Sequence, residues 1–566
     1  HLWAEADNFG SLLRPQLSGE QIAAVRAQVA ALAAGPQRDL VVEELRGRLL
    51  QALAQAEALA RPYHVVVANP PYMGSRSMNP VLRQFVSDEC AGYDADLFSA
   101  FTVRIMEMTA AGGFIGMMTP FTWMFLVSYE KLRTRIIGEH TFISLVQPEY
   151  HAFFDSAYVP ICAFVLYTKP HPDYQGAFIS LSQFYGAEAQ PVRALEAIRN
   201  PDCDWFFRSS STDFRSIPGY PIAFSVGWRV REAFVIGTPM SSIASPKQGL
   251  ATADNDRFLR YWQEVQYGDI GFGFSSSDMA KSSKRSWFPY QKGGAFRKWY
   301  GNHEYVIDWR NDGESIRQFP NAVLRNPDYY FKDGMTWTSL TVASFSGRYS
   351  PNGFLFDSKG PILFSKRADM LPRIIGFMNS RPANEMLRLL APTMDYNQGP
   401  VGKLPVLPLE APSEHVDQLV NSLIEQARSD WNSQETSWDF THPSLMRSDF
   451  NNSLLANIYR TLRRYLQNIT QEMQRLEEEN NRIFIDAYGL QDELTTEVPL
   501  TEITLTCNPW YRYGGQGAVN GERWAVISEQ WPEVAAQLAQ ISEDMAPDEP
   551  EARRLGLEQR LLADTV

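Results

Sequence analysis

The chain has 566 residues, 44% hydrophobic and 21% charged, which suits a core-forming globular protein of about three to four domains and excludes a disordered or fibrous one. Its formal charge of −13 belongs to the tail: residues 411–566 hold 26 acidic residues against 12 arginines and no lysine, whereas residues 1–410 hold 39 acids and 40 bases. The overall acidity therefore excludes no phosphate-binding surface upstream.

The longest apolar run, residues 112–127, is broken by Thr119, Pro120 and Thr122 and is too short to cross a bilayer, so no membrane association is expected. Glu5, Asp7 and Arg14, with no apolar stretch between them, are unlike a secretory leader. The four cysteines (Cys90, Cys162, Cys203, Cys507) form no CxxC pair, so neither a zinc site nor a disulfide framework is expected, and a reducing cytoplasm is the expected setting.

In chain order, residues 18–60 read as two helices around Gly35-Pro36, with Ile22, Val25, Val29 and Leu32 at helical spacing. Residues 63–68, Tyr-His-Val-Val-Val-Ala, read as a buried strand that stops at Asn69-Pro70-Pro71-Tyr72. Helices are expected over residues 80–89 and 97–111, a strand over 113–119 stopped by Pro120, a helix over 128–137, and strands over 142–146 and 161–167. This alternation argues for a parallel, doubly wound α/β sheet. Residues 171–235 read as an aromatic, proline-containing connector. Residues 236–410 carry short aromatic strands with many Gly and Asn turns, a β-rich (α+β) region. From residue 411 the pattern is helical, with an acidic run at Glu477–Glu479 and a surface that reads as solvated. The divisions are thus 1–62 (helical), 63–170 (the α/β region), 171–235, 236–410 and 411–566.

The sharpest chemical signal is Asn69-Pro70-Pro71-Tyr72. Consecutive prolines fix φ and hold the residue before them extended, so the Asn69 side chain and the Pro70 carbonyl become rigid oxygen acceptors. Two such acceptors can grip the hydrogens of an amino group, and Tyr72 offers a face for a planar ring. The carboxyl end of a strand is also where ligands bind in open α/β sheets. The chemistry favoured is methyl transfer to a weakly nucleophilic amine, achieved by positioning and preorganised dipoles. A base inside a duplex would have to be flipped out, at a cost of a few kcal/mol, and stacking on aromatic rings returns about 1–3 kcal/mol per base.

These residues resemble the catalytic motif of amino-group DNA methyltransferases, particularly the adenine-specific class. Residues 96–101 (Asp-Leu-Phe-Ser-Ala-Phe), 112–120 and 153–161 are similar to motifs that follow in that family's order. The resemblance implies base-binding and catalytic roles for Asn69, Pro70, Pro71, Tyr72 and Phe154 (Phe153 being the alternative), with Tyr72 and Phe154 sandwiching an adenine. It implies cofactor contacts for Asp96 and Phe98 in the second half of a Rossmann-like methyltransferase sheet, with S-adenosylmethionine as methyl donor and no metal. Asp96 equally suits a helix N-cap, and Phe154 suits plain core. The family's Gly-rich cofactor loop has no counterpart in residues 1–68, whose glycines (Gly10, Gly19, Gly35, Gly47) are unclustered. Since the sequence opens on His1, the cofactor-binding half is expected upstream, leaving a sheet with an exposed edge and a chain inactive alone.

Phrases at residues 247–258, 292–302, 379–381, 391–393 and 404–405 resemble the recognition domain of large restriction–modification and BREX-type phage-defence methyltransferases. That implies site-specific adenine N6-methylation of double-stranded DNA, with other defence proteins as further partners. Residues 277–300 hold six bases against Asp278, interleaved with aromatic residues. Lys281, Lys284, Arg285, Lys292, Arg297, Lys298, Trp299 and Tyr300 are the expected DNA contacts; a merely solvated basic loop is the plainer reading. Two further functional readings stay open: a DNA-binding specificity or scaffold subunit without catalysis, and an amino-methyltransferase acting on protein glutamine or RNA.

Overall fold

The structure is a computed structural model that describes residues 2–31, 40–150, 152–153, 160–341, 344–391, 395–409, 411–446 and 454–514. The chain divides into two compact units, one running to Val235 and the other starting at Ile236.

In the first unit, helices α1 (Gly19–Ala31) and α2 (Leu40–Ala60) precede β1 (Tyr63–Ala68), and α3 (Pro80–Glu89) and α4 (Leu97–Met108) lead into β2 (Thr109–Pro120). Then come α5 (Glu130–Glu139), β3 (Thr141–Gln147), β4 (Ile161–Tyr167), β5 (Gly176–Ser180), α6 (Ala189–Arg199) and β6 (Phe206–Ser209). The strands form one sheet in the order β1-β2-β4-β3-β5-β6. β1 lies parallel to β2, with Ala68 opposite Met117, and β3 lies parallel to β5. The expectation of an all-parallel sheet is corrected: β4 is antiparallel to both β2 and β3, and β6 is antiparallel to β5. β3 and β4 pair as sequence neighbours, which antiparallel strands can do without the crossover helix a parallel pair requires.

One face of the sheet carries the core, where Ile115, Met117, Leu145, Phe164 and Leu166 meet Phe98, Trp123, Leu132 and Ile136. Close approach of β1 to β2 explains a glycine: a Cβ on Gly113 would lie 2.6 Å from the His64 carbonyl oxygen. β1 itself is not the buried strand its β-branched run suggested. It forms the sheet's edge; Val66 and Ala68 pack on the core, while Val65 and Val67 point outward, Val67 being 76% exposed. Residues 171–235 are likewise more than a connector, because β5 and β6 extend the same sheet.

The second unit contains two four-stranded sheets. One joins β8 (Leu259–Tyr261), β9 (Trp287–Gln291), β10 (Tyr305–Asp308) and β13 (Leu355–Phe356); the other joins β7 (Ala244–Lys247), β11 (Gly334–Trp337), β12 (Gly347–Ser350) and β14 (Ile362–Ser365). An aromatic core of Phe288, Tyr290, Trp309, Phe331 and Phe356 fills the space beside them. The division expected at residue 411 does not separate packing units. Helix α7 (Leu371–Met378) receives a bond from Asn480 Nδ2 to the Gly376 carbonyl at 2.9 Å, and Phe377 stacks on Tyr488, both partners lying on the long helix Leu455–Tyr488. Residues 515–566 lie outside the described residues. No described helix is long and apolar enough to cross a membrane.

Candidate active site

β1 cannot continue past Ala68 because Pro70 and Pro71 carry no N–H for a ladder. Pro70 is buried and anchors the loop, while Asn69 and Pro71 are exposed and Tyr72 is 39% exposed. The Tyr72 hydroxyl donates to Asn69 Oδ1 at 2.8 Å, which turns the amide oxygen toward the ring and leaves that oxygen a second lone pair. Partial burial raises the Tyr72 hydroxyl above its ordinary range, so it remains a donor at neutral pH.

The chain beyond Tyr72 is fastened to the start of α4. Leu97 N–H donates to the Met73 carbonyl at 3.0 Å and Ser75 N–H to the Ala95 carbonyl at 3.1 Å. Asp96 Oδ1 accepts from Met73 N–H at 3.0 Å and from Phe98 N–H at 3.2 Å. Asp96 is thus the N-cap of α4 and a brace for the Asn69–Tyr72 loop. Burial pushes its carboxyl upward against the downward pull of those N–H groups. The Phe98 ring is enclosed in the core beside Tyr129, with centroids 5.3 Å apart, which corrects the expectation that it lines a cofactor pocket. Arg83 completes the brace by donating to the carbonyls of Ser75, Arg76 and Met78. Phe154, the expected second wall, lies outside the described residues. The alternative, Phe153, is half exposed.

A residue that sequence reasoning passed over is Arg133 on α5. Its guanidinium donates to the carbonyls of Trp123 (2.8 Å), Leu126 (2.7 Å) and Gly219 (2.9 and 2.7 Å), fixing the loop that follows β2. Burial pushes its pKa down to about 10, which still leaves it charged at neutral pH. The signal was present in the helix pattern, which sets Arg133 on the buried face with Leu132, Ile136 and Ile137.

The basic cluster of the second unit divides in two. Lys281, Lys284 and Arg285 are exposed, on and just after the helix Ser277–Ser282. Lys292 is half-buried, with Nζ 3.5 Å from Asp357. Arg297, Lys298, Trp299 and Tyr300 are buried, Arg297 and Lys298 each at 6% exposure, which corrects their assignment as DNA contacts. Arg297 lies 3.6 Å from Asp430, donates to the Thr504 carbonyl and to Thr506 Oγ1, and stacks over Trp431. Lys298 pairs with Glu477, whose other oxygen accepts from Trp299 Nε1 at 2.8 Å. Burial raises the Glu477 carboxyl, and Lys298 opposes that rise. Glu477, expected on a solvated surface, is therefore internal. Such charges are found buried because each is paired and hydrogen-bonded.

Comparison with known proteins gives a consistent picture. Residues 45–154 match the family described as Eco57I restriction-modification methylase. The chain is 36% identical over 454 residues to the adenine-specific methyltransferase PglX of Lacticaseibacillus casei (strain Zhang), an alignment covering 78% of this chain and 37% of PglX. It is 33% identical over 519 residues to the adenine-specific methyltransferase BrxX of Escherichia coli O9:H4 (strain HS), covering 91% of this chain and 41% of BrxX. The chain thus spans about two-fifths of the length of these curated relatives. Among solved structures, the type IIL restriction-modification enzyme MmeI in complex with DNA aligns with 84% of this chain and 58% of its own, at 12% identity and a TM-score of 0.45, too distant to bear on function.

Proposed function

We propose, for a chain homologous over most of its length to BREX-type adenine-specific methyltransferases, that it forms the base-binding and target-recognition part of a site-specific DNA adenine N6-methyltransferase of bacterial phage defence. The observation that carries this reading is the exposed Asn69 amide oxygen on a proline-fixed loop, with the Tyr72 ring beside it at the carboxyl end of β1.

In this reading an adenine swings out of the duplex and stacks on Tyr72. Its N6–H groups donate to Asn69 Oδ1 and to the Pro70 carbonyl oxygen. Two fixed acceptors favour a pyramidal nitrogen whose lone pair is free to attack. Asn69 needs no reorganisation at that moment, because Tyr72 and the brace through Asp96 already hold the loop. S-adenosylmethionine would supply the electrophilic methyl group. The residues present fit the amine side of this reaction better than the cofactor side: Asp96 Oδ1 is engaged by two N–H groups and the Phe98 ring is enclosed. The bare face of β1, with Val65 and Val67, suits coverage by further polypeptide that completes the cofactor pocket, so this chain alone is inactive. The second unit acts as the recognition part, with Lys281, Lys284 and Arg285 touching phosphates.

The test is labelled-methyl transfer to DNA by the complete methyltransferase. Asn69→Ala is expected to lower transfer by about 10²–10³-fold, the scale for loss of one preorganised group, with DNA affinity changed less than about twofold. A protein that binds DNA with full affinity yet transfers no methyl group in any setting would support the scaffold reading instead.

A further inference from the structure

Beyond β2 the chain passes through a short turn, Phe121–Met124, in which Phe121, Trp123 and Met124 are buried. It then reaches α5 through Phe125, Leu126 and the turn Val127–Tyr129. In this apolar stretch two aliphatic side chains face out: Leu126 is 36% and Val127 68% exposed. The backbone beneath them is held hard. Arg133 Nη1 donates to the carbonyls of Trp123 and Leu126, Leu126 N–H donates to the Thr122 carbonyl at 3.0 Å, and Tyr129 N–H donates to the Leu126 carbonyl at 3.1 Å. A guanidinium at 1% exposure is costly to bury unless it is hydrogen-bonded, and here its acceptors are backbone carbonyls of this loop and of Gly219.

A relay of contacts joins the loop to the candidate site. Tyr129 packs on Phe98, Phe98 N–H bonds Asp96, and Asp96 bonds Met73 N–H directly after Tyr72. Lys131 ties the start of α5 to the turn after α3, donating to the Ala91 carbonyl at 2.7 Å.

Extruding a base leaves an unstacked gap in the duplex, and proteins that open base steps fill such gaps with rigid apolar side chains. We propose that Leu126 and Val127 are an aliphatic wedge that enters the base stack and holds open the space left by the extruded adenine, with Arg133 as the positioning residue that stiffens it. The inference rests on the reading of Asn69–Tyr72 as an adenine site.

The experiment uses the complete methyltransferase and two duplexes carrying its target sequence, one ordinary and one with an abasic site opposite the target adenine, where the base is already unpaired. With 2-aminopurine at the target position, fluorescence reports extrusion. The double variant Leu126→Ala, Val127→Ala removes exposed side chains and is expected to melt as the parent does. On the ordinary duplex it should lose about tenfold or more in both methylation rate and fluorescence gain. On the abasic duplex it should methylate at the parent rate. Parent-like methylation of the ordinary duplex overturns the wedge, and so does a loss that the abasic duplex fails to rescue, which would mark packing against protein. A parent enzyme that methylates neither duplex removes the adenine-site reading itself, and the wedge with it.

Discussion

Asn69 and Tyr72 stand exposed on a loop that the sequence reads as a site, whereas Arg297 and Lys298, which the sequence reads as surface cations, are buried against Asp430 and Glu477. The contrast teaches that a backbone constraint can be read locally and a charge cannot. Proline fixes φ wherever it occurs. The fate of a lysine depends on what folds against it, and here the partner lies 179 residues away.

The largest effect should come from breaking the buried pair. Glu477→Ala leaves the Lys298 ammonium without its counter-charge and the Trp299 N–H without its acceptor, and is expected to destabilise the second unit by about 3–5 kcal/mol. Glu477→Gln keeps an oxygen for Trp299 and should cost less. Urea unfolding of the two variants makes the comparison; equal, small losses would show that the seam is not buried in solution.

A second test of the same interior is acid sensitivity. His303 sits among Tyr300, Phe354 and Trp438, and burial together with Arg348, Arg428 and Arg297 pushes its pKa down to about 3 from the ordinary 6.5. The folded protein therefore holds this imidazole neutral where the unfolded chain would protonate it. Its contribution to stability is intact above about pH 6.5 and falls as the pH drops toward 3, by at most about 1.4 kcal/mol per pH unit. His303→Phe should flatten that part of the melting-temperature profile, and an unchanged profile would place the acid sensitivity elsewhere.

The smallest effect is expected at the exposed half of the basic cluster. Replacing Lys281, Lys284 and Arg285 together by alanine should reduce the slope of log affinity against log salt by about three and leave unfolding unchanged. The unchanged slope that would accompany a solvated, non-binding loop is equally easy to measure.

Much of the first unit was legible. Helix Pro80–Glu89 and strand Ile161–Tyr167 fall where proline, capping and β-branched runs set them. The direction of β4 was not, because periodicity carries no information on which strand lies beside which. Nor could Val65-Val66-Val67 reveal that only one of its faces is covered, since a buried strand and an uncovered edge share the same composition. Within the candidate site, the loop, its tyrosine and the capping role of Asp96 were readable. The helix pattern placed Arg133 on a buried face but could not reveal its clamp, because its acceptors are backbone carbonyls, including Gly219, that no residue type announces.

The seam through Arg297, Lys298 and Glu477 has a practical consequence for anyone building chimeras of this chain with its relatives. A graft cut at residue 410 would strand Glu477 and Asp430 in one parent and their cations in the other. Chimeras should instead transplant the unit that starts at Ile236 as one cassette, or carry the acidic partners along with the swapped strands.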